Sequence, residues 1–116
     1  MYDKSVLDTI TISVKNEALR IFAERLNKII LYGSYARGDY EATSDIDIML
    51  LLDISTEALE KYRSDVAKVA SRLSLENENC ITVSIVLQDV DSFMKYKSIS
   101  SFYNNVELEG VVVYAA

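Results

Sequence analysis

Leu31-Tyr-Gly-Ser-Tyr-Ala-Arg-Gly-Asp39, running on to Ser44-Asp-Ile-Asp47, is the stretch on which the reading of this chain turns. The sequence has only three glycines and no proline, and Gly33 and Gly38 fall close together directly after an apolar run. A strand that ends in glycine and turns into a short helix points backbone N–H groups outward, and these attract phosphate. Gly33 lacks a Cβ, so a phosphate can approach the backbone closely. Ser34 adds a hydroxyl donor, and Gly38 suits a left-handed end to the short helix. A plain turn between two strands fits glycine and serine equally well, so the aspartates weigh most. Ten residues separate Ser34 from Asp45, and Asp47 follows two positions later at the start of a second apolar run. Two positions apart on a strand, both carboxylates emerge on one face, about 6.5–7 Å apart at Cα. Side by side they need solvent or a cation between them. Mg²⁺ takes oxygen ligands and shares them readily with phosphates; the plainer reading is a solvated edge.

Composition narrows the chemistry. At 116 residues, half of them apolar, the chain is expected to form one soluble globular domain over 1–116. No apolar run reaches the ~18 residues needed to span a bilayer, and Met1–Lys4 does not lead into a secretory signal. A cytoplasmic location is expected. The single cysteine, Cys80, excludes an internal disulfide and reads as a buried, inert thiol in a reducing compartment. There is no histidine, which removes Ser-His-Asp and Cys-His nucleophile systems and histidine-bound zinc. The net charge of −6, with Lys and Arg scattered, argues against direct nucleic-acid binding.

Along the chain, Ser5 to Arg25 reads as helix, with Leu7, Ile10, Val14, Ile21 and Phe22 on one face. Ser5 and Asp8 have the spacing of a capping box. The β-branched patch Thr9-Ile-Thr-Ile12 leaves a break there open. Lys28–Tyr32 and Asp45–Asp53 read as strands. In the second, Ile46, Ile48, Leu50 and Leu52 point one way, and Asp45, Asp47, Met49, Leu51 and Asp53 the other. Ser55 caps a helix to about Leu73, with Glu57 and Lys61 spaced to pair. Cys80–Leu87 reads as a third strand. Asp89 or Asp91 caps a helix to Tyr96, and a last helix from Ser100 ends at Gly110, where glycine suits a C-terminus. Val111–Tyr114 closes as an edge strand. Helices alternating with four strands imply an α/β or α+β fold, a mixed β-sheet flanked by helices.

Gly33-Ser34, ten residues, then Asp45-Ile-Asp47 resembles the core motif of the nucleotidyltransferase superfamily that includes polymerase β and kanamycin nucleotidyltransferase. Tyr32-Gly-Ser-Tyr-Ala-Arg-Gly38, Ser44-Asp-Ile-Asp47 and the ending Glu109-Gly-Val-Val-Val-Tyr114 are similar to its minimal nucleotidyltransferases, so the likeness covers residues 20–114. It implies the polymerase β-like fold and a site in which Asp45 and Asp47 bind two Mg²⁺ ions. Gly33, Ser34, Arg37 and Ser44 would serve the phosphates of a nucleoside triphosphate, ATP by resemblance, whose α-phosphate an acceptor hydroxyl attacks. Arg37 equally fits a salt bridge to Asp39 or Glu41. The superfamily's third carboxylate is missing where the strand beside Asp45–Asp53 would supply it, because Ser84 aligns there. Asp89 is the remaining third acid if the chain bends past that strand's end. Larger members carry a helical domain for the acceptor, so the acceptor pocket is expected from another chain. Minimal members pair as antitoxins with HEPN-domain toxins, and some AMPylate a toxin tyrosine. The resemblance thus implies AMP transfer to a partner hydroxyl, or an antitoxin that acts by binding alone. Tyr96, Phe102 and Tyr103 fit core packing or an interaction patch, and Tyr35 and Tyr40 a cleft wall or a stack on a base.

Overall fold

The computed structural model describes residues 4–116. Helix α1 (Lys4–Phe22) is followed by strand β1 (Leu26–Tyr32), the one-turn helix α2 (Ser34–Arg37) and strand β2 (Ile46–Leu52). Helices α3 (Thr56–Leu59) and α4 (Arg63–Glu76) lead to β3 (Val83–Asp89), α5 (Val90–Tyr96), α6 (Ser101–Glu109) and β4 (Val111–Ala115). The sheet order is β3-β2-β1-β4; β1 runs antiparallel to β2 and β4, and β2 runs parallel to β3. Among the described residues no helix is long and apolar enough to cross a membrane.

Strand β2 is buried on both faces, as the two-sided run of apolar residues dictates. Ile46, Ile48, Leu50 and Leu52 pack with Ile29 and Leu31 of β1 against α1 and α4. Met49 and Leu51 pack with Ile30, Phe93 and Val106 beneath α5 and α6. Asp47 occupies the second face, at the open end where the apolar residues stop.

In α1 every fourth residue, Val6, Ile10, Val14, Ala18 and Phe22, enters the core, while Leu7 and Ile21 lie at its margin. The helix does not break at Thr9–Ile12. Thr9 and Thr11 donate back to the Ser5 and Asp8 carbonyls (2.8 and 3.0 Å), which accommodates the β-branched residues within the helix. Ser5 lies inside this helix rather than at a capping position. Ser55 caps α3 by accepting from the Ala58 N–H, as the sequence implied. The helical path beyond it contains a 3-10 turn at Glu60–Tyr62 and runs to Glu76, and the ion pair there is Glu60–Arg63 (2.8 Å) instead of Glu57–Lys61.

The third strand begins later than its sequence suggests. Asn77 accepts from the Ile81 N–H and donates to the Ile81 carbonyl, and Cys80 takes a left-handed φ of 51°. This turn occupies the residues before β3, leaves Cys80 exposed and overturns the buried-thiol reading. Gly110 ends α6 for a steric reason: its φ is −69°, and a Cβ there would run into the Val106 carbonyl and the Ile30 side chain. The close of α6 is thereby pressed against β1.

Candidate functional site

The turn after β1 has the geometry its glycines imply. Gly33 sits at φ 80°, ψ −158°, and Gly38 closes α2 at φ 88°, ψ 5°. The Gly33 carbonyl accepts from the Ala36 and Arg37 N–H groups (both 3.1 Å), and the Gly38 N–H donates to Ser34 (2.9 Å). α2 is a single turn, so its dipole is slight, and its Ala36 and Arg37 amides are already engaged by the Gly33 carbonyl. Register brings Asp47 opposite Tyr32, and a Cβ placed on Gly33 would lie 2.5 Å from Asp47 Oδ2. Glycine therefore makes room for the carboxylate as well as for the backbone conformation.

Gly33, Ser34, Arg37 and Asp47 line one cleft of about 380 Å³ together with Tyr32, Phe102 and Glu109. Burial and the neighbouring Asp45 push the Asp47 carboxyl above its ordinary value, against the pull of Arg37. Tyr32 is pushed up to about 12, by burial first and by Asp47 second. Asp45 is exposed, precedes β2 and is not among the residues lining this cleft, but its charge reaches Asp47. Arg37 donates to Asp39 (3.1 Å) and to Glu109 (3.2 Å).

Ser44 is not among the cleft residues. Its hydroxyl accepts from the Glu41 N–H at 2.8 Å and closes the turn that leads into Asp45. Asp89 is not brought to the site either. The β2–β3 register pairs Asp47 with Ser84 and Asp89 with Leu52, a separation along the strand of about 16 Å. No bend carries it back, because Asp89 is the last residue of β3 and caps α5. It accepts from the Ser92 N–H (2.8 Å) and from the Thr56 hydroxyl (3.1 Å). Burial pushes its carboxyl up, but these bonds outweigh burial and hold it below its ordinary value. Among the described residues no three Asp, Glu or Cys side chains converge to hold a metal ion. The Asp45–Asp47 pair still suits Mg²⁺: it offers hard oxygen donors, and a cation would relieve the repulsion that raises Asp47. Mg²⁺ commonly takes one or two carboxylates and completes its shell with water and substrate phosphate.

The aromatic residues divide. Tyr35 and Tyr40 stack on each other (4.6 Å, 5° between planes) in the wall of a separate hollow with Asn79 and Ile81. Phe102 stands edge-on to Tyr32 at 5.6 Å, whereas Tyr103 donates its hydroxyl to Gln88 (2.8 Å), and Tyr96 is exposed. Tyr32, Phe102 and Glu109 were not recognisable as cleft residues from sequence. Glu109 reaches Arg37 across 72 positions, and local patterning carries no signal for such a contact.

Residues 14–108 match the nucleotidyltransferase domain family. The chain belongs to that family. Two Methanocaldococcus jannaschii proteins, each named as a candidate protein adenylyltransferase, are similar in sequence. MJ0141 is 34% identical over 99 residues, covering 85% of this chain and 90% of its own. MJ0604 is 37% identical over 90 residues, covering 78% and 80%. The fold matches a chain in the crystal structure of a toxin–antitoxin with AMP-PNP at TM-score 0.56 and 20% identity, covering 99% of this chain and 75% of that one. A candidate nucleotidyltransferase from Sulfolobus solfataricus matches at TM-score 0.52 and 21% identity, covering 98% and 90%. The nucleotidyltransferase fold implied by the motif is thus present, as a mixed sheet flanked by helices.

Proposed function

We propose that this chain is a Mg²⁺-dependent nucleotidyltransferase that moves AMP from ATP to a hydroxyl of a partner protein, a HEPN-domain toxin for which it is the antitoxin. The observation that carries the reading is Asp47 packed over Gly33 in the cleft shared with Ser34 and Arg37. The adenylyl group and the protein acceptor follow the names of the two Methanocaldococcus relatives; the toxin follows the toxin–antitoxin neighbour.

In this reading the Gly33–Ser34 turn and the Ser34 hydroxyl hold the β- and γ-phosphates, and Arg37 offsets their charge. Ser44 acts indirectly, by fixing the turn ahead of Asp45. Asp45 and Asp47 hold Mg²⁺, which, when bound, supplies charge stabilisation to the reacting phosphate and its leaving group. The acceptor oxygen bonds to the α-phosphorus, and pyrophosphate leaves with the electrons of the broken P–O bond. Ser84, opposite Asp47, cannot take a proton at neutral pH, so the acceptor's proton passes to the aspartate pair or to water.

Ser84 also favours a second reading, an antitoxin that binds nucleotide and toxin without transferring anything. Labelled ATP, Mg²⁺ and the protein encoded by the neighbouring gene separate the two. Label on the partner that disappears with Asp45→Ala and Asp47→Ala supports the transferase. Toxin neutralisation with no label transferred rejects it in favour of the binder.

A further inference from the structure

We propose that Glu109 is a positioning residue for phosphate recognition, holding the Arg37 guanidinium over the cleft from its opposite wall. The inference rests on the nucleotide-binding part of the reading above and extends it to the C-terminal helix α6.

Arg37 carries five N–H donors in a planar fork. One goes to Asp39, from Nε, and one to Glu109, from Nη1. The other three have no protein partner among the described residues. The two carboxylates therefore fix the plane of the guanidinium without exhausting it, and an arriving phosphate finds donors already oriented. Asp39 lies two residues from Arg37 on the same exposed turn and moves with it. Glu109 comes from elsewhere in the fold, and its backbone is anchored. The Gly110 N–H closes onto Val106 (2.9 Å), Gly110 leaves no room for a Cβ against Ile30, and Val111 pairs with Leu31. Leu31 and Ile30 belong to the strand that leads into Gly33. The phosphate turn and the residue that steadies its arginine are thus mounted on one strand.

The ion pair is well hydrated, with both side chains 40% exposed. Pairs of this kind contribute little to stability, so its effect is expected in ligand geometry. The opposite possibility is that Glu109 plugs the site by occupying Arg37. The three remaining donors argue against it.

Glu109→Ala, Glu109→Gln, Arg37→Ala and the Glu109→Ala/Arg37→Ala double variant test the proposal. ATP affinity with Mg²⁺ is read by calorimetry, kcat and KM by label transfer, and folding by thermal melting. Glu109→Ala should weaken ATP binding and raise KM about tenfold while kcat changes little, as expected for a misplaced binding group. Glu109→Gln keeps an acceptor oxygen and should return affinity to within about threefold of wild type. In the Arg37→Ala background, Glu109→Ala should add nothing. Tighter ATP binding by either Glu109 variant would show a plug and overturn the proposal. So would an unchanged affinity in Glu109→Ala, or a loss that persists without Arg37. Should Glu109→Ala misfold, Glu109→Gln decides alone, a loss beyond about tenfold counting against the positioning role. A wild-type protein that binds no ATP overturns the parent reading as well; wild-type binding with Glu109→Ala unaffected overturns this inference alone.

Discussion

Replacing Gly33 by alanine separates two reasons for glycine at the head of the turn. The first is backbone conformation: at φ 80°, ψ −158° a residue with a Cβ is strained, at a cost of about 1–3 kcal/mol. The second is the Asp47 carboxylate, whose Oδ2 would lie 2.5 Å and Cγ 3.4 Å from the new Cβ. Asp47 is a short side chain on a fixed strand, so relief comes from rotating its carboxylate off its rotamer, costing about 0.5–1.5 kcal/mol. Gly33→Ala should then cost about 1.5–4.5 kcal/mol in all, summing the two effects. In an Asp47→Ala background Oδ2 and Cγ are gone, and only the backbone cost of about 1–3 kcal/mol should remain. Urea denaturation of the wild type, both single variants and the double variant at pH 7 measures each value from the midpoint and slope. Equal costs of Gly33→Ala in the two backgrounds would refute the contact. A cost below about 1 kcal/mol in the wild-type background would refute the strained backbone as well.

Three further outcomes follow from the geometry. Asp47→Asn should raise stability at neutral pH, because ionised Asp47 is penalised by burial and by Asp45. Its folded proton affinity lies above the unfolded one, so its favourable contribution is full below the ordinary carboxylate value of 3.8 and lost as pH rises through the folded value. The stability gap between variant and wild type should widen over that rise, and urea midpoints from pH 3.5 upward would show a constant gap if this is wrong. Asp89→Ala removes the α5 cap, costing about 0.5–2 kcal/mol, and takes the acceptor from the exposed Thr56 hydroxyl, while Gln88 keeps its bond to the residue 89 carbonyl. Its carboxyl lies below its ordinary value, so the stability it contributes should vanish as pH falls through the folded value; lost ATP binding in a well-folded Asp89→Ala would restore it as a site residue. Cys80, exposed in its turn, should react fully with Ellman's reagent in the native protein, and a requirement for urea would contradict its placement.

Much of the molecule was legible because its patterns are local or periodic. The four strands, the Ser55 cap, a cap at Asp89 or Asp91 (Asp89 in the structure) and the alternating faces of β2 follow from side-chain alternation and short-range hydrogen bonding. The Gly33–Asp47 pairing was legible because both glycine and aspartate are unusual beside apolar runs. Asp89 had two readings, a helix cap and a third acid conditional on a bend, and the structure shows the cap. The bend that would return it past Leu87 is absent, because β3 runs on straight through Asp89, five positions beyond Ser84 and level with Leu52. The reading of Cys80 as buried fails because the apolar sequence after it concealed a left-handed backbone in the turn before β3. Of the two nearby acids open to Arg37, Asp39 or Glu41, it meets Asp39, but its second partner, Glu109, depends on where α6 docks against β1. That docking is a tertiary fact with no local signature.

Calorimetric titration of ATP, with and without Mg²⁺, into the wild type and an Asp45→Asn/Asp47→Asn variant bears most directly on whether Gly33, Ser34, Asp45 and Asp47 act as one metal–nucleotide site. The wild type should bind ATP only when Mg²⁺ is present. The variant should lose that binding while its urea midpoint stays equal or rises, since repulsion between the carboxylates is gone. Unchanged ATP affinity in the variant, with or without a loss of stability, would contradict the site.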